Sequence, residues 1–481
     1  MKEKLKASKY LHFLQVEKEM YVGWNRFFPS IFILNKSALE LLDRIKKNKL
    51  PEADEENKID LFLNEFKKYK FIYAGDSDPS KEDYLTIVQQ KLAELDRRAA
   101  DFYQKKKDYA DLKIVNDVCN LRCTYCVNEE SYPQSHPHTR VKEGLATKDR
   151  LRIINRCVDQ FFSRKIKGKD KQTKIFFNGG EILVDWQLIK KIPLRISQKY
   201  PGIKIEYDIN TNLALLTEEI ARFFKRYNFN VHISIDGYRE AHNKTRKYHD
   251  GRGSFDDIIE KVELYRKYTK KDSLKGFQGT IEYPDEFQAE EVYKMDKYGF
   301  VFARLAPNLL NVSEEDAGKK ARLMGKFLEL NSRHNDRFQV TELIFTKIKN
   351  KINQQEFQFT FNCQGLSAFP DLGIEINISN LAVSHLCGFI PGAALPIEDL
   401  QYDIYNPKLW EVSYKFIKDR MEAVLNDCIE CPLLGICGGG CILSGIDTEN
   451  RLNEAACVYQ KEMWEIYVKK AYQDRKKKKQ E

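Results

Sequence analysis

Cys119, Cys123 and Cys126 lie within eight residues and are the first side chains whose type and spacing could do chemistry. Thiolates are soft ligands, suited to zinc and to iron–sulfur clusters. A structural zinc ion takes four protein ligands. This Cys-x3-Cys-x2-Cys run offers three, so a cubane held here would keep one iron open. A second set comes late in the chain: Cys428-x2-Cys431-x5-Cys437-x3-Cys441, with Cys457 after it and Cys363 and Cys387 before it. Zinc is also open to its Cys-x2-Cys pair. The run Gly438-Gly439-Gly440 allows the tight backbone wrap that such ligation needs. Eleven cysteines, an odd number, do not read as a disulfide framework in a reducing compartment. Cys157 shares a helical stripe with Ile153, Ile154 and Phe161 and reads as a buried free thiol. The eight histidines form no HExxH motif. His385 lies beside Cys387 and could ligate iron.

The elements that must position these residues show in the hydrophobic pattern. From residue 110 the chain alternates apolar strands with helices. Strands are expected at 112–116, 174–177, 203–209, 231–235, 277–282 and 301–305, and helices at 148–163, 186–200, 218–227, 255–269 and 289–298. Such alternation predicts an α/β fold with parallel strands and right-handed crossovers. Six repeats are too few for an eight-fold barrel and suit a partial (βα)6 TIM-like barrel, with its chemistry at the strand C-terminal ends. The cysteine run follows the first of these strands. Phe177-Asn178-Gly179-Gly180-Glu181 follows the second, Ile209-Asn210-Thr211-Asn212 the third, and Ser234-Ile235-Asp236-Gly237, with Arg246 beyond it, the fourth. Each of the later three alone reads as an ordinary turn; the order in which they follow the cysteines is the signal.

Cys-x3-Cys-x2-Cys with an aromatic before the last cysteine, followed by these turns, resembles the signature of the radical S-adenosylmethionine (radical SAM) superfamily. The resemblance implies a [4Fe–4S] cluster on Cys119, Cys123 and Cys126, whose open iron chelates SAM. One electron then splits SAM to methionine and a 5′-deoxyadenosyl radical, which takes a hydrogen atom from substrate. It also implies SAM contacts: Tyr125 near the adenine, Gly179 and Gly180 with Glu181 at the amino group, Asn210 and Asn212 in the turn near SAM, and Ser234 and Arg246 at the carboxylate, with Asp236 in the same Ser-x-Asp-Gly segment. Arginine suits a planar carboxylate. The late cysteines closely resemble a SPASM domain. That likeness implies two auxiliary [4Fe–4S] clusters, a nearer one on Cys363, Cys387 and Cys441 and an outer one on Cys428, Cys431, Cys437 and Cys457.

Four segments are expected: 1–75, 76–109, 110–335 and 336–481. Residues 1–75 read as strands at 10–16, 20–24 and 31–34 and helices at 37–47 and 59–69. This pattern resembles the winged-helix-like peptide-recognition element of such enzymes, to whose sheet edge a leader peptide adds as a strand; a scaffold-only cap has the same pattern. Residues 76–109 read as a charged linker helix. Residues 336–481 read as a Cys- and Gly-rich iron–sulfur SPASM domain, poor in periodicity, closed by a helix at 458–472.

The implied function is a maturase of a ribosomally made precursor peptide, installing a thioether or carbon–carbon crosslink with an external one-electron donor such as flavodoxin or ferredoxin. An enzyme of the anaerobic sulfatase-maturating type is the nearest alternative. Those carry an acidic residue directly after the cysteine equivalent to Cys387, and Gly388 stands here. A non-catalytic iron–sulfur electron carrier is the other, and the full set of SAM-site residues counts against it. A net charge of +9 is spread among acidic neighbours and comes with no nucleic-acid module. No apolar run reaches membrane-span length and the first residues lack a signal peptide's apolar stretch, which predicts a cytoplasmic protein with no membrane partner.

Overall fold

The structure, a computed structural model, describes residues 5–28, 31–47, 56–126, 146–168, 171–269, 274–334, 338–341, 373–385, 393–437, 439 and 453–478. At its centre is a ten-stranded sheet. Six of its strands are β6 (Asp111–Asn116), β8 (Gln172–Gly179), β9 (Lys204–Thr211), β10 (Phe229–Ser234), β12 (Gly276–Ile281) and β13 (Phe302–Pro307). They pair in parallel, and their order across the sheet is their order along the chain. These are the six strands expected from the alternation. Helices α4 (Thr147–Lys167), α6 (Lys191–Lys199), α7 (Glu218–Arg226) and α9 (Phe255–Tyr268) form parts of the crossovers. Their apolar stripes, such as Ile154, Phe161, Ile220, Phe224 and Ile258, pack against Ile175, Phe177, Ile209 and Ile233 of the strands. The alternate strand residues, among them Asn178, Asn210, His232 and Ser234, are only partly buried. Helices therefore cover one face of the sheet, while its other face stays polar. A parallel sheet covered on both faces would read as continuous apolar runs.

The sheet extends past these six strands. β14 (Gln339–Thr341) lies parallel to β13. Beyond the other edge, β15 (Gly373–Asn377) lies parallel to β6, and β16 (Ala382–Ser384) and β17 (Ala394–Pro396) follow antiparallel. Part of the stretch after residue 335 thus extends the central sheet at both edges.

Near the N-terminus, β2 (Leu11–Glu17), β3 (Met20–Asn25) and β4 (Ile31–Asn35) form an antiparallel sheet, followed by α1 (Lys36–Lys46) and α2 (Glu56–Lys68). Asn35 caps α1 by accepting from Ala38 N at 2.9 Å. Val22 and Trp24 of β3 are buried in the same core as the barrel. The charged helix α3 (Ser80–Gln104) packs Ala99 against Trp410.

Residues 408–428 correct the expectation of low periodicity. They form the helix α12 (Lys408–Cys428), with Leu409, Trp410, Ser413, Ile417, Arg420, Met421 and Val424 buried along it. A serine and an arginine interrupt the apolar stripe, which hides it in the sequence. Arg420 is 2% exposed, and its guanidinium donates to Gly439 O. After α13 (Leu434–Cys437) comes the closing helix α14 (Glu454–Lys478), longer than expected. Among the described residues, no helix is long and apolar enough to cross a membrane.

Helix α14 packs along α11 (Glu314–Arg333) because small residues let the two approach. A Cβ on Gly325 would sit 3.1 Å from Ile466 Cδ1. Gly325→Val should overpack this contact and destabilise the protein by about 1–3 kcal/mol, read as a lowered thermal midpoint. Adding Ile466→Ala should recover part of the loss, because the two sites touch.

Candidate active site

The cysteine run is fixed by the segment that follows β10. β7 (Leu121–Cys123) pairs antiparallel with β11 (Arg246–Tyr248), setting Cys123 opposite Arg246 and Leu121 opposite Tyr248. Thr124 N donates to Thr245 O at 3.1 Å, and Cys126 N turns back to Cys123 O at 3.0 Å. Leu121 N donates to Cys119 Sγ at 3.4 Å. Burial pushes the thiols of Cys119 and Cys123 up to about 12, and neighbouring thiols add to the rise. A cation must therefore displace protons to bind. Among the described residues, no three His, Cys, Asp or Glu converge into a group that would hold a metal ion. The donor set here is three soft thiols, and a cubane spreads such a set over three irons. Beside it, the buried Asn120 Nδ2 has no acceptor among the described residues. Thiols and orphaned donor together fit a cluster with one open iron and a polar ligand upon it.

Asp236 lies just beyond β10 and is 1% exposed. Its Oδ1 pairs with Arg246 Nε at 2.9 Å and accepts from Thr280 N at 2.8 Å. Its Oδ2 accepts from Tyr125 OH at 2.6 Å and Thr245 Oγ1 at 2.7 Å. Burial would raise this carboxyl, but the Arg246 guanidinium and the other donors prevail and hold it below its usual value. Arg246 also lies over the Tyr125 ring, 5.6 Å from its centroid, and its Nη1 is 4.0 Å from Cys123 Sγ. Behind them, burial holds His242 neutral, at about 3. Its Nδ1 accepts from Asp236 N at 3.2 Å, so Nε2 carries the proton and donates to Ser254 Oγ at 3.0 Å. Ser254 Oγ in turn donates to Arg246 O at 3.0 Å.

The glycine turn after β8 has a tighter reason than ligand approach. Gly179 has φ +125°, and a Cβ there would meet Asn116 O at 2.1 Å. A Cβ on Gly180 would meet Val118 O at 2.4 Å. Gly180 N donates to Asn116 O and Glu181 N to Val118 O, so this turn grips the chain just before Cys119. Glu181 is buried, and its oxygens accept from Leu183 N at 3.0 Å, Thr211 Oγ1 at 2.7 Å and Asn212 N at 2.6 Å. It ties the turn after β8 to the turn after β9. Asn212 Nδ2 donates to Asn120 Oδ1 at 2.9 Å, and Asn210 Nδ2 to Asn178 Oδ1 at 3.3 Å. Ser234 ends β10, partly buried.

Several partners escaped the sequence reading. Thr245, Thr280, His242, Ser254 and Asn120 carry no motif, although Thr245 and Asn120 adjoin residues that do. Asp117 is another: Asn377 Nδ2 and Asn380 Nδ2 donate to its two oxygens, tying the start of the cysteine loop to the turn after β15. Its signal was a polar Asn-Asp pair closing an apolar strand.

Of the later cysteines, Cys428, Cys431, Cys437 and Cys457 are described. Burial raises the Cys428 thiol, and Cys431, Cys437 and Cys457 add to the rise. Cys363, Cys387 and Cys441 lie outside the described residues. Cys157 is buried within α4, as expected.

Residues 114–292 match the family model of the radical SAM superfamily. That segment, a radical SAM superfamily domain by this match, runs from β6 past β12 of the parallel sheet. The radical SAM cyclopropyl synthase TigE of Paramaledivibacter caminithermalis is 22% identical over 459 residues, 91% of this chain and 89% of TigE. The serine-type anaerobic sulfatase-maturating enzyme of Bacteroides thetaiotaomicron is 29% identical over 197 residues; that match spans 42% of the relative. A solved structure, native anSMEcpe with bound AdoMet, superposes with TM-score 0.54 at 20% identity, over 76% of this chain and 98% of that one, which shows a shared fold.

Gly179→Ala should shift the Asn116–Val118 segment, because the backbone O and N of Asn116 lie within 2.5 Å of the new methyl group. Iron bound by the three-cysteine site should fall and stability should drop by more than about 1 kcal/mol, measured by iron assay and urea unfolding of the same preparation.

Proposed function

We propose that this protein is a radical SAM maturase that takes a hydrogen atom from a ribosomally made peptide and installs a crosslink. The observation that carries the reading is the cysteine loop laddered onto β11 and locked beneath the Asp236–Arg246 pair, at the C-terminal end of a parallel sheet. When bound, a [4Fe–4S] cluster and SAM supply one-electron cleavage to a 5′-deoxyadenosyl radical. The chain's own residues do the rest. Cys119, Cys123 and Cys126 hold three irons. Asp236 aims Arg246, whose guanidinium, with Ser234, receives the SAM carboxylate. Glu181 holds Asn212 and the Gly179–Gly180 turn in place, so it acts through its neighbours as well as through its charge. Asn210 and Asn212 line the SAM side of the sheet. Tyr125 packs against Arg246 and closes that flank to water.

Cys428, Cys431, Cys437 and Cys457 are assigned to an outer auxiliary [4Fe–4S] cluster, and Cys363, Cys387 and Cys441 to a nearer one. The leader of the precursor peptide adds to an edge of the β2–β3–β4 sheet, and an electron donor such as flavodoxin or ferredoxin serves the enzyme in the cytoplasm. The match to a cyclopropyl synthase covers 91% of this chain. Its name describes closure of a carbon–carbon bond, which favours carbon–carbon coupling over a thioether. The sulfatase-maturating reading is favoured by higher identity, but over less than half of this chain, and Gly388 argues against it.

Replacing Cys119, Cys123 and Cys126 together by Ala should remove about four irons per chain and abolish 5′-deoxyadenosine formation under reducing, anaerobic conditions. Undiminished 5′-deoxyadenosine in that variant would end the assignment.

A further inference from the structure

We infer that the N-terminal unit is a built-in part of the outer four-cysteine centre, with the end of β3 forming a collar that holds the cysteine loop in ligating shape. This rests on the reading that Cys428, Cys431, Cys437 and Cys457 bind a cluster. Three contacts make the collar. Trp24, 5% exposed, donates from Nε1 to Pro432 O at 2.8 Å. Arg26 donates to Ile429 O at 3.3 Å and pairs with Glu430. Gly435 N donates to Arg26 O at 2.7 Å, and a Cβ on Gly435 would lie 2.7 Å from the Phe27 carbonyl. All three fall on the loop between Cys428 and Cys437.

The same unit also holds the piece that carries the fourth ligand. Cys457 rides on α14, where Trp464 stacks edge-on against Trp24 with centroids 5.4 Å apart. Farther along that helix, Tyr472 OH donates to Glu17 Oε2 at 2.7 Å, and Lys476 pairs with Glu17. One strand pair, β2–β3, therefore braces both the loop and the helix. Gathering four like-charged thiolates is costly, and a rigid frame lowers the cost of assembling them. Coupling of this kind is reciprocal: a formed cluster must also tighten the N-terminal unit.

The test uses the full chain with Cys119, Cys123 and Cys126 replaced by Ala, reconstituted anaerobically. The iron lost on adding Cys428→Ala defines the outer centre. In Trp24→Phe and, separately, Arg26→Gln, the outer centre's visible charge-transfer absorbance should decay under a chelator about tenfold faster, the loss of one buried hydrogen bond. In Cys428→Ala, amide hydrogen exchange in β2 and β3 should accelerate. Unchanged decay in both collar variants, or unchanged exchange on cluster loss, would overturn the collar. If Cys428→Ala removes no iron, the cysteine assignment fails, and the collar fails with it.

Discussion

The buried ion pair between Asp236 and Arg246 is the interaction on which the rest of the site depends. Asp236 lies two residues beyond β10 and so reports the position of the sheet. Arg246 opens β11 and so sets the position of the cysteine loop. Two charges at such depth are stable only when paired and hydrogen-bonded, and removing one partner of a buried pair costs about 3–5 kcal/mol. Asp236 meets that demand with the Arg246 charge and with hydrogen-bond donors from three places: Tyr125 inside the cysteine loop, Thr245, and the backbone of β12 at Thr280. The carboxylate joins two strands, a helix end and the cluster loop at one point. The Gly179–Glu181 turn does the same from the other side, gripping Asn116 and Val118 just before Cys119.

The strands that build the frame were legible because one face of the sheet packs under helices and the other is polar, which leaves an alternating pattern in the sequence. The cysteine spacing and the strand-end turns were legible because local chain geometry demands them. Glu181 shows where reading stopped: the sequence marks it as a charge for a ligand, while the fold surrounds it with Leu183, Thr211 and Asn212. Thr280 stands 44 residues from Asp236, and only the crossover between β10 and β12 brings them together. β14, β16 and β17 span three residues each, too short to carry a period. Helix α12 was hidden because Arg420, buried in its stripe, looks like a surface residue in sequence.

The three parts of the chain share structure more than the sequence suggests. β15 from the C-terminal stretch continues the barrel sheet beside β6. Val22 and Trp24 from the N-terminal unit sit in the barrel's core. Helix α14 lies against α11 on one side and reaches β2 on the other. A shift at any of these contacts propagates, because packed cores deform in discrete steps and not continuously.

The central claim is that Asp236 holds Arg246, and through it the cysteine loop, in the geometry that receives SAM. The most direct test is SAM affinity of the reconstituted Asp236→Asn enzyme, measured alongside its iron content. Asparagine keeps the shape and removes the charge that fixes Arg246. The account predicts SAM binding weaker by about tenfold or more, a loss of at least ~1.4 kcal/mol, with the auxiliary iron retained. Wild-type SAM affinity in Asp236→Asn would contradict it.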